Sequence, residues 1–79
     1  MEENIRFLPA GDSSVLIEFG NSISPEINFK VRNMVMVLEK AQKNYILEFL
    51  PTYRSLLIHY DPLKLSYDEL LKELQNLVS

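Results

Sequence analysis

Apolar and polar positions alternate in four short runs of this chain and recur at helical spacing in two longer ones. Asn4 to Leu8 predicts a first strand, closed by the turn chemistry of Pro9-Ala10-Gly11-Asp12-Ser13, where proline fixes φ, glycine admits positive φ and aspartate can bond its own backbone. Ser14 to Phe19 follows as a strand with Val15, Ile17 and Phe19 on one face and Ser14, Leu16 and Glu18 on the other, ended by Gly20-Asn21. Ser24-Pro25-Glu26 then supplies a capping hydroxyl, a proline at the first helical position and an early acid. Ile27, Val31, Met34, Val35 and Leu38 form one buried stripe of that helix. Phe29 and Met36 lie off the stripe, and are either the flank of a wide core face or a docking surface.

The pattern then repeats. Phe7-Leu8-Pro9 returns as Phe49-Leu50-Pro51, and the second strand returns as Ser55 to Tyr60, with Leu56, Ile58 and Tyr60 facing the core. Tyr45 to Leu50 is the third strand, Pro51-Thr52-Tyr53-Arg54 the second turn, and Asp61-Pro62 closes the fourth strand. Ser66 and Glu69 are spaced as a capping box, Leu65 and Leu70 as a hydrophobic staple, and Leu70, Leu71, Leu74, Leu77 and Val78 as a buried stripe. The order ββαββα requires the first helix to cross over the sheet, right-handed by strong preference. Helices with one apolar stripe each share one face of the sheet, so the expected class is α+β, a two-layer sandwich similar to a permuted ferredoxin-like fold. Strand order is left open by this reasoning.

At 79 residues the chain is expected to form a single small domain that buries roughly 60 to 65 % of its unfolded surface. With no cysteine there is neither a disulfide nor a thiolate metal site, and the default location is cytoplasmic. Met1-Glu2-Glu3-Asn4 is not the start of a signal peptide, and Met34 to Leu38, the longest near-apolar stretch, is too short to span a bilayer. A net charge of −3 and scattered basic residues argue against nucleic acid as a partner. Lys30 and Arg32 read as a solvated helix face, Lys40 and Lys43 as a helix end where cations oppose the dipole.

Candidate chemistry is thin. His59 has no second histidine or cysteine to join it at a metal, so no metal or cofactor is expected. Ser55 and His59 share a strand face but stand roughly 13 Å apart along it, too far for a nucleophile and its base. Gly11 and Gly20 are the only glycines, too few for a phosphate-binding loop. What remains is the sheet face away from the helices, where Ser14, Leu16, Glu18, Ser55, Leu57 and His59 make a mixed surface. Either it meets a partner or second domain, or its leucines are scattered surface residues of an ordinary small domain. Within the turns, Asp12, Tyr53 and Arg54 are either a recognition set or a local structural one, since Asp12 and Arg54 occupy corresponding loops of the repeat and an exposed pair would contribute at most about 1 kcal/mol.

The runs Phe7-Leu8-Pro9-Ala10-Gly11-Asp12-Ser13-Ser14-Val15-Leu16-Ile17-Glu18-Phe19-Gly20, Pro25-Glu26-Ile27-Asn28 and Pro51-Thr52-Tyr53-Arg54-Ser55-Leu56-Leu57-Ile58-His59-Tyr60-Asp61-Pro62 carry a family resemblance. They resemble the N-terminal domain of the family that includes the sporulation kinase inhibitor KipI and the B-type subunit of ATP-dependent 5-oxoprolinase, long labelled allophanate hydrolase subunit 1, with carboxyltransferase subdomain C/D. The likeness runs from Arg6 to Leu74 and is most specific at Pro51-Thr52-Tyr53-Arg54-Ser55; Asn44-Tyr45-Ile46 stands where members usually have a Gly-Val pair. Members usually continue into a cyclophilin-like C-terminal domain, so residues 1–79 are read as the N-terminal domain without it. The resemblance implies a non-catalytic domain that assembles with a companion carboxyltransferase-like subunit and a third subunit to convert 5-oxoproline to glutamate at the expense of ATP. Its alternative implication is a KipI-like inhibitor of sensor histidine kinase autophosphorylation, docking on a helical dimerisation domain through Phe29, Met36 or the open sheet face.

Overall fold

The computed structural model describes residues 5–20 and 24–78. Expectations placed on Asn4, Asn21 and the Val78 side chain lie outside the described residues. Six elements follow in the expected order: β1 (Arg6–Pro9), β2 (Ser14–Glu18), α1 (Pro25–Ala41), β3 (Ile46–Pro51), β4 (Ser55–Tyr60) and α2 (Tyr67–Val78). They form a two-layer α+β fold of the ferredoxin-like kind, with one antiparallel sheet in the order β1-β2-β4-β3. Because β2 and β3 are both antiparallel to β4 between them, they run the same way, and α1 carries the chain across β4.

The layer facing the helices is the core. Val15, Ile17 and Phe19 from the first half meet Leu56, Ile58 and Tyr60 from the second, under Ile27, Val31, Met34 and Leu38 of α1 and Leu70 and Leu74 of α2. Val35, Leu71 and Leu77 pack at its margin. Along β2 and β4 every second residue faces this core, because a one-residue slip would turn every one of these side chains outward.

Both helices start where their capping residues dictate. The Ser24 hydroxyl accepts from Ile27 N at 3.2 Å with Pro25 at the first helical position. In α2, Glu69 N donates to Ser66 Oγ at 3.1 Å and Ser66 N donates to Glu69 Oε1 at 2.8 Å, a reciprocal capping box. Ser66→Ala is expected to cost about 1 kcal/mol, read as a lowered melting temperature; an unchanged one would count against this helix start. At its other end α1 closes on Gln42 in the left-handed region, φ 51°, whose N–H donates to the Leu38 carbonyl at 3.2 Å.

The strands differ from expectation at their prolines. Pro9 and Pro51, expected to open turns, are the last residues of β1 and β3, opposite Val15 and Leu56. The strand order explains this, since both strands are sheet edges and an edge tolerates a residue without an N–H donor. β3 is further interrupted by a register shift between Ile46 and Glu48. Near its start, the Tyr45 hydroxyl donates to Glu73 Oε1 at 3.2 Å, tying the sheet to α2. Burial, then the Glu73 charge and this hydrogen bond, pushes the Tyr45 phenol up to about 12.

Candidate functional site

The register assembles the helix-free face of the sheet row by row. Leu8 stands opposite Leu16, Leu16 opposite Leu57, and Leu57 opposite Leu50, so one leucine from every strand lies in a continuous line across the sheet. Directly opposed residues in antiparallel strands project to the same face. Their chain neighbours Phe7, Val15, Ile17, Leu56, Ile58 and Phe49 all turn into or against the core, which leaves the leucines on the other side. Leu8, Leu16 and Leu57 are half-buried by one another, and Leu50 is 44 % exposed.

Polar rows flank this line on both sides. On one side Arg6 lies opposite Glu18, with Arg6 Nε 3.4 Å from Glu18 Oε1, and Glu18 lies opposite Ser55. On the other, Ser14 lies opposite His59 and His59 opposite Glu48. The Ser14 hydroxyl is hydrogen-bonded to His59 Nδ1. Strand spacing along β4 rules out Ser55 as a partner of His59, and the neighbouring strand supplies Ser14 in its place. Ser14 is only 6 % exposed, which leaves its hydroxyl little access to an incoming substrate.

The two turns project from opposite ends of the sheet, because Ser14 at the start of β2 pairs with His59 near the end of β4. Asp12 and Arg54 are therefore not neighbours. Asp12 is exposed beside Gly11, whose φ of +87° only glycine adopts without strain. Arg54 serves a structural link: its Nη1 donates to the Gly20 carbonyl at 3.2 Å, and its own carbonyl accepts from Phe19 N at 3.0 Å. A larger residue at Gly20 would require the buried Ile27 side chain to shift, since a Cβ there would meet Ile27 Cδ1. Thr52 closes the turn by exchanging bonds with Ser55, accepting from Ser55 N at 3.0 Å on its hydroxyl and donating its N–H to the Ser55 carbonyl at 2.8 Å.

Tyr53, at the tip of that turn, is instead brought to α1. Asn28 Nδ2 donates to the Tyr53 carbonyl at 3.0 Å, and Tyr53, Phe29, Arg32, Asn33 and Met36 line a shallow groove of about 430 Å³. Phe29 is 69 % and Met36 54 % exposed, so a wide core stripe, one of the two readings of these residues, is excluded. The core face of α1 is already filled by its inner stripe. Of the residues singled out in the sequence, Leu16, Leu57 and His59 thus share the sheet face, Phe29, Met36 and Tyr53 share the α1 groove, and Asp12 and Arg54 join neither.

The contributions of Leu8, Leu50 and Glu48 to the open face, and the pairing of Ser14 with His59, depend on which strands are neighbours, a fact no local pattern carries. Among the described residues no cluster of side chains could hold a metal ion, and no helix is long and apolar enough to cross a membrane.

Residues 5–79 match the family model described as carboxyltransferase domain, subdomain C and D. Urea amidolyase of Saccharomyces cerevisiae is 31 % identical over 75 residues, which cover 94 % of this chain and 4 % of that protein. A conserved uncharacterized protein of Pyrococcus horikoshii superposes with a TM-score of 0.87 at 44 % identity, covering 92 % of this chain and 34 % of that one. The N-terminal domain of the histidine kinase inhibitor KipI from Bacillus subtilis superposes with a TM-score of 0.72 at 26 % identity, covering 94 % of this chain and 72 % of that one.

Proposed function

Because the chain belongs to the family of carboxyltransferase domains, subdomain C and D, we propose that it is a non-catalytic docking domain of a protein like the B-type subunit of 5-oxoprolinase. It packs its open sheet face against a companion carboxyltransferase-like subunit, in a cytoplasmic assembly with a third subunit that opens 5-oxoproline to glutamate at the expense of ATP. The observation that carries this reading is the line Leu8-Leu16-Leu57-Leu50, an apolar stripe four strands wide with polar rows on either side. A sheet that meets only water has little use for such a stripe, whereas an interface is built as an apolar centre within a polar rim. The edges are poorly suited to strand addition, since each ends in proline. The polar groups on the face are largely engaged with one another, Ser14 with His59 and Arg6 with Glu18, which suits them to shaping a contact rather than attacking a substrate.

The test is ATP-dependent hydrolysis of 5-oxoproline by the full-length protein purified with the products of its genomic neighbours. Activity is expected to disappear when this protein is left out, and turnover that persists without it sinks the reading. A KipI-like role is the second reading, favoured by the superposition on the KipI domain. It requires the full-length protein to suppress autophosphorylation of a sensor histidine kinase, and an unchanged rate of phosphorylation removes it.

A further inference from the structure

The outer face of α1 has an order of its own. Glu26, Phe29, Asn33, Met36 and Lys40 follow one another at alternating steps of three and four residues, and all five are exposed. The buried stripe of Ile27, Val31, Met34 and Leu38 lies roughly 150° away around the helix at about 100° per residue. The helix therefore has two organised faces, one inside the domain and one outside it, and the groove against Tyr53 runs along the outer one.

Read in either direction, the outer stripe is charge, apolar, amide, apolar, charge, with the charges opposite in sign. From these observations we infer that α1 pairs with α1 of a second copy of this chain, antiparallel, about a twofold axis near Asn33. That operation sets Phe29 beside Met36 of the other copy and Met36 beside its Phe29, so each exposed apolar side chain covers the other. It sets Glu26 against Lys40 and Lys40 against Glu26. A parallel pairing would set Glu26 on Glu26 and Lys40 on Lys40, and would align the helix dipoles instead of opposing them. Asn33 at the axis meets its own copy, and an amide carries both a donor and an acceptor, so it is its own complement. Within one chain Glu26 and Lys40 are about 21 Å apart along the helix, too far to serve each other, and among the described residues neither is in an ion pair.

The contact is one helix wide, which places it among small, weak and concentration-dependent interfaces. It lies on the helical side of the domain, away from the leucine line, so the pairing neither requires nor blocks the docking proposed for the sheet.

Sedimentation of the full chain from micromolar to millimolar concentration at low salt tests it. The expected result is a reversible dimer whose Kd rises roughly tenfold in Glu26→Lys and likewise in Lys40→Glu, two symmetric attractions having turned to repulsions. The double reversal, Glu26→Lys with Lys40→Glu, restores the original Kd, a rescue that only the antiparallel pairing produces. Phe29→Asp leaves a monomer. A chain that stays monomeric throughout, a dimer indifferent to the single reversals, or a double reversal without rescue overturns the inference. So does a monomeric chain whose binding to a companion subunit is abolished by Phe29→Asp, which would assign this face to a different partner.

Discussion

Leu56→Ala is expected to bring the domain close to its unfolding threshold. Leu56 is fully buried on a central strand, opposite Ile17 on β2 and Pro51 on β3, and inside the cluster that both helices cover. Truncating a leucine in such a place costs about 2 to 5 kcal/mol, since the cavity left behind closes only partly. A chain of this size has a total stability of about 4 to 12 kcal/mol, so the loss is a large fraction of the whole. In urea the unfolding midpoint is expected to fall by about 2 M or more. A midpoint that hardly moves would mean that the helices and sheet do not share one core.

Leu57→Lys, one residue further on, is expected to do the opposite. Leu57 lies on the far side of the sheet, in the middle of the leucine line, where a lysine can lay its methylenes over Leu16 and Leu50 and keep its ammonium in water. The isolated domain should lose no more than about 1 kcal/mol. Against a partner the same ammonium is driven into the apolar centre of the contact with no carboxylate in its own row. Affinity for the companion subunit, measured by calorimetry, is expected to fall by about a hundredfold or more. Unchanged affinity would mean that this face is not the docking surface. The contrast between two adjacent leucines separates folding from assembly more cleanly than either substitution alone.

The strands, helices and core side chains were legible because each is decided locally. Period two put Val15, Ile17, Leu56 and Ile58 on one side, period 3.6 picked out Ile27, Val31, Met34 and Leu38, and the two serine caps marked the helix starts. The open face was legible only in pieces. Leu16 and Leu57 could be named, but the line that they complete with Leu8 and Leu50 depends on the order β1-β2-β4-β3, which is a long-range property. Ser14 and His59 show the same thing, since residues far apart in the chain become partners only once β2 is known to lie against β4. Pairing Asp12 with Arg54 by their corresponding places in the repeat pointed the wrong way. In an antiparallel arrangement, equivalent loops of two halves emerge at opposite ends. Phe29 and Met36 were ambiguous because apolar character at the flank of a stripe does not say how wide the neighbouring layer is. Here α1 needs only its inner stripe to cover the sheet.

The leucine line has one more property. Four identical side chains in a row present the same profile when a partner is turned end for end, so they supply adhesion without direction. The rows beside them are unlike: an arginine-glutamate pair on one side, a serine-histidine pair leading to a glutamate on the other. A surface built this way separates how strongly a neighbour is held from which way round it sits. Mutations in the outer rows would then yield complexes of nearly normal affinity assembled in the wrong orientation.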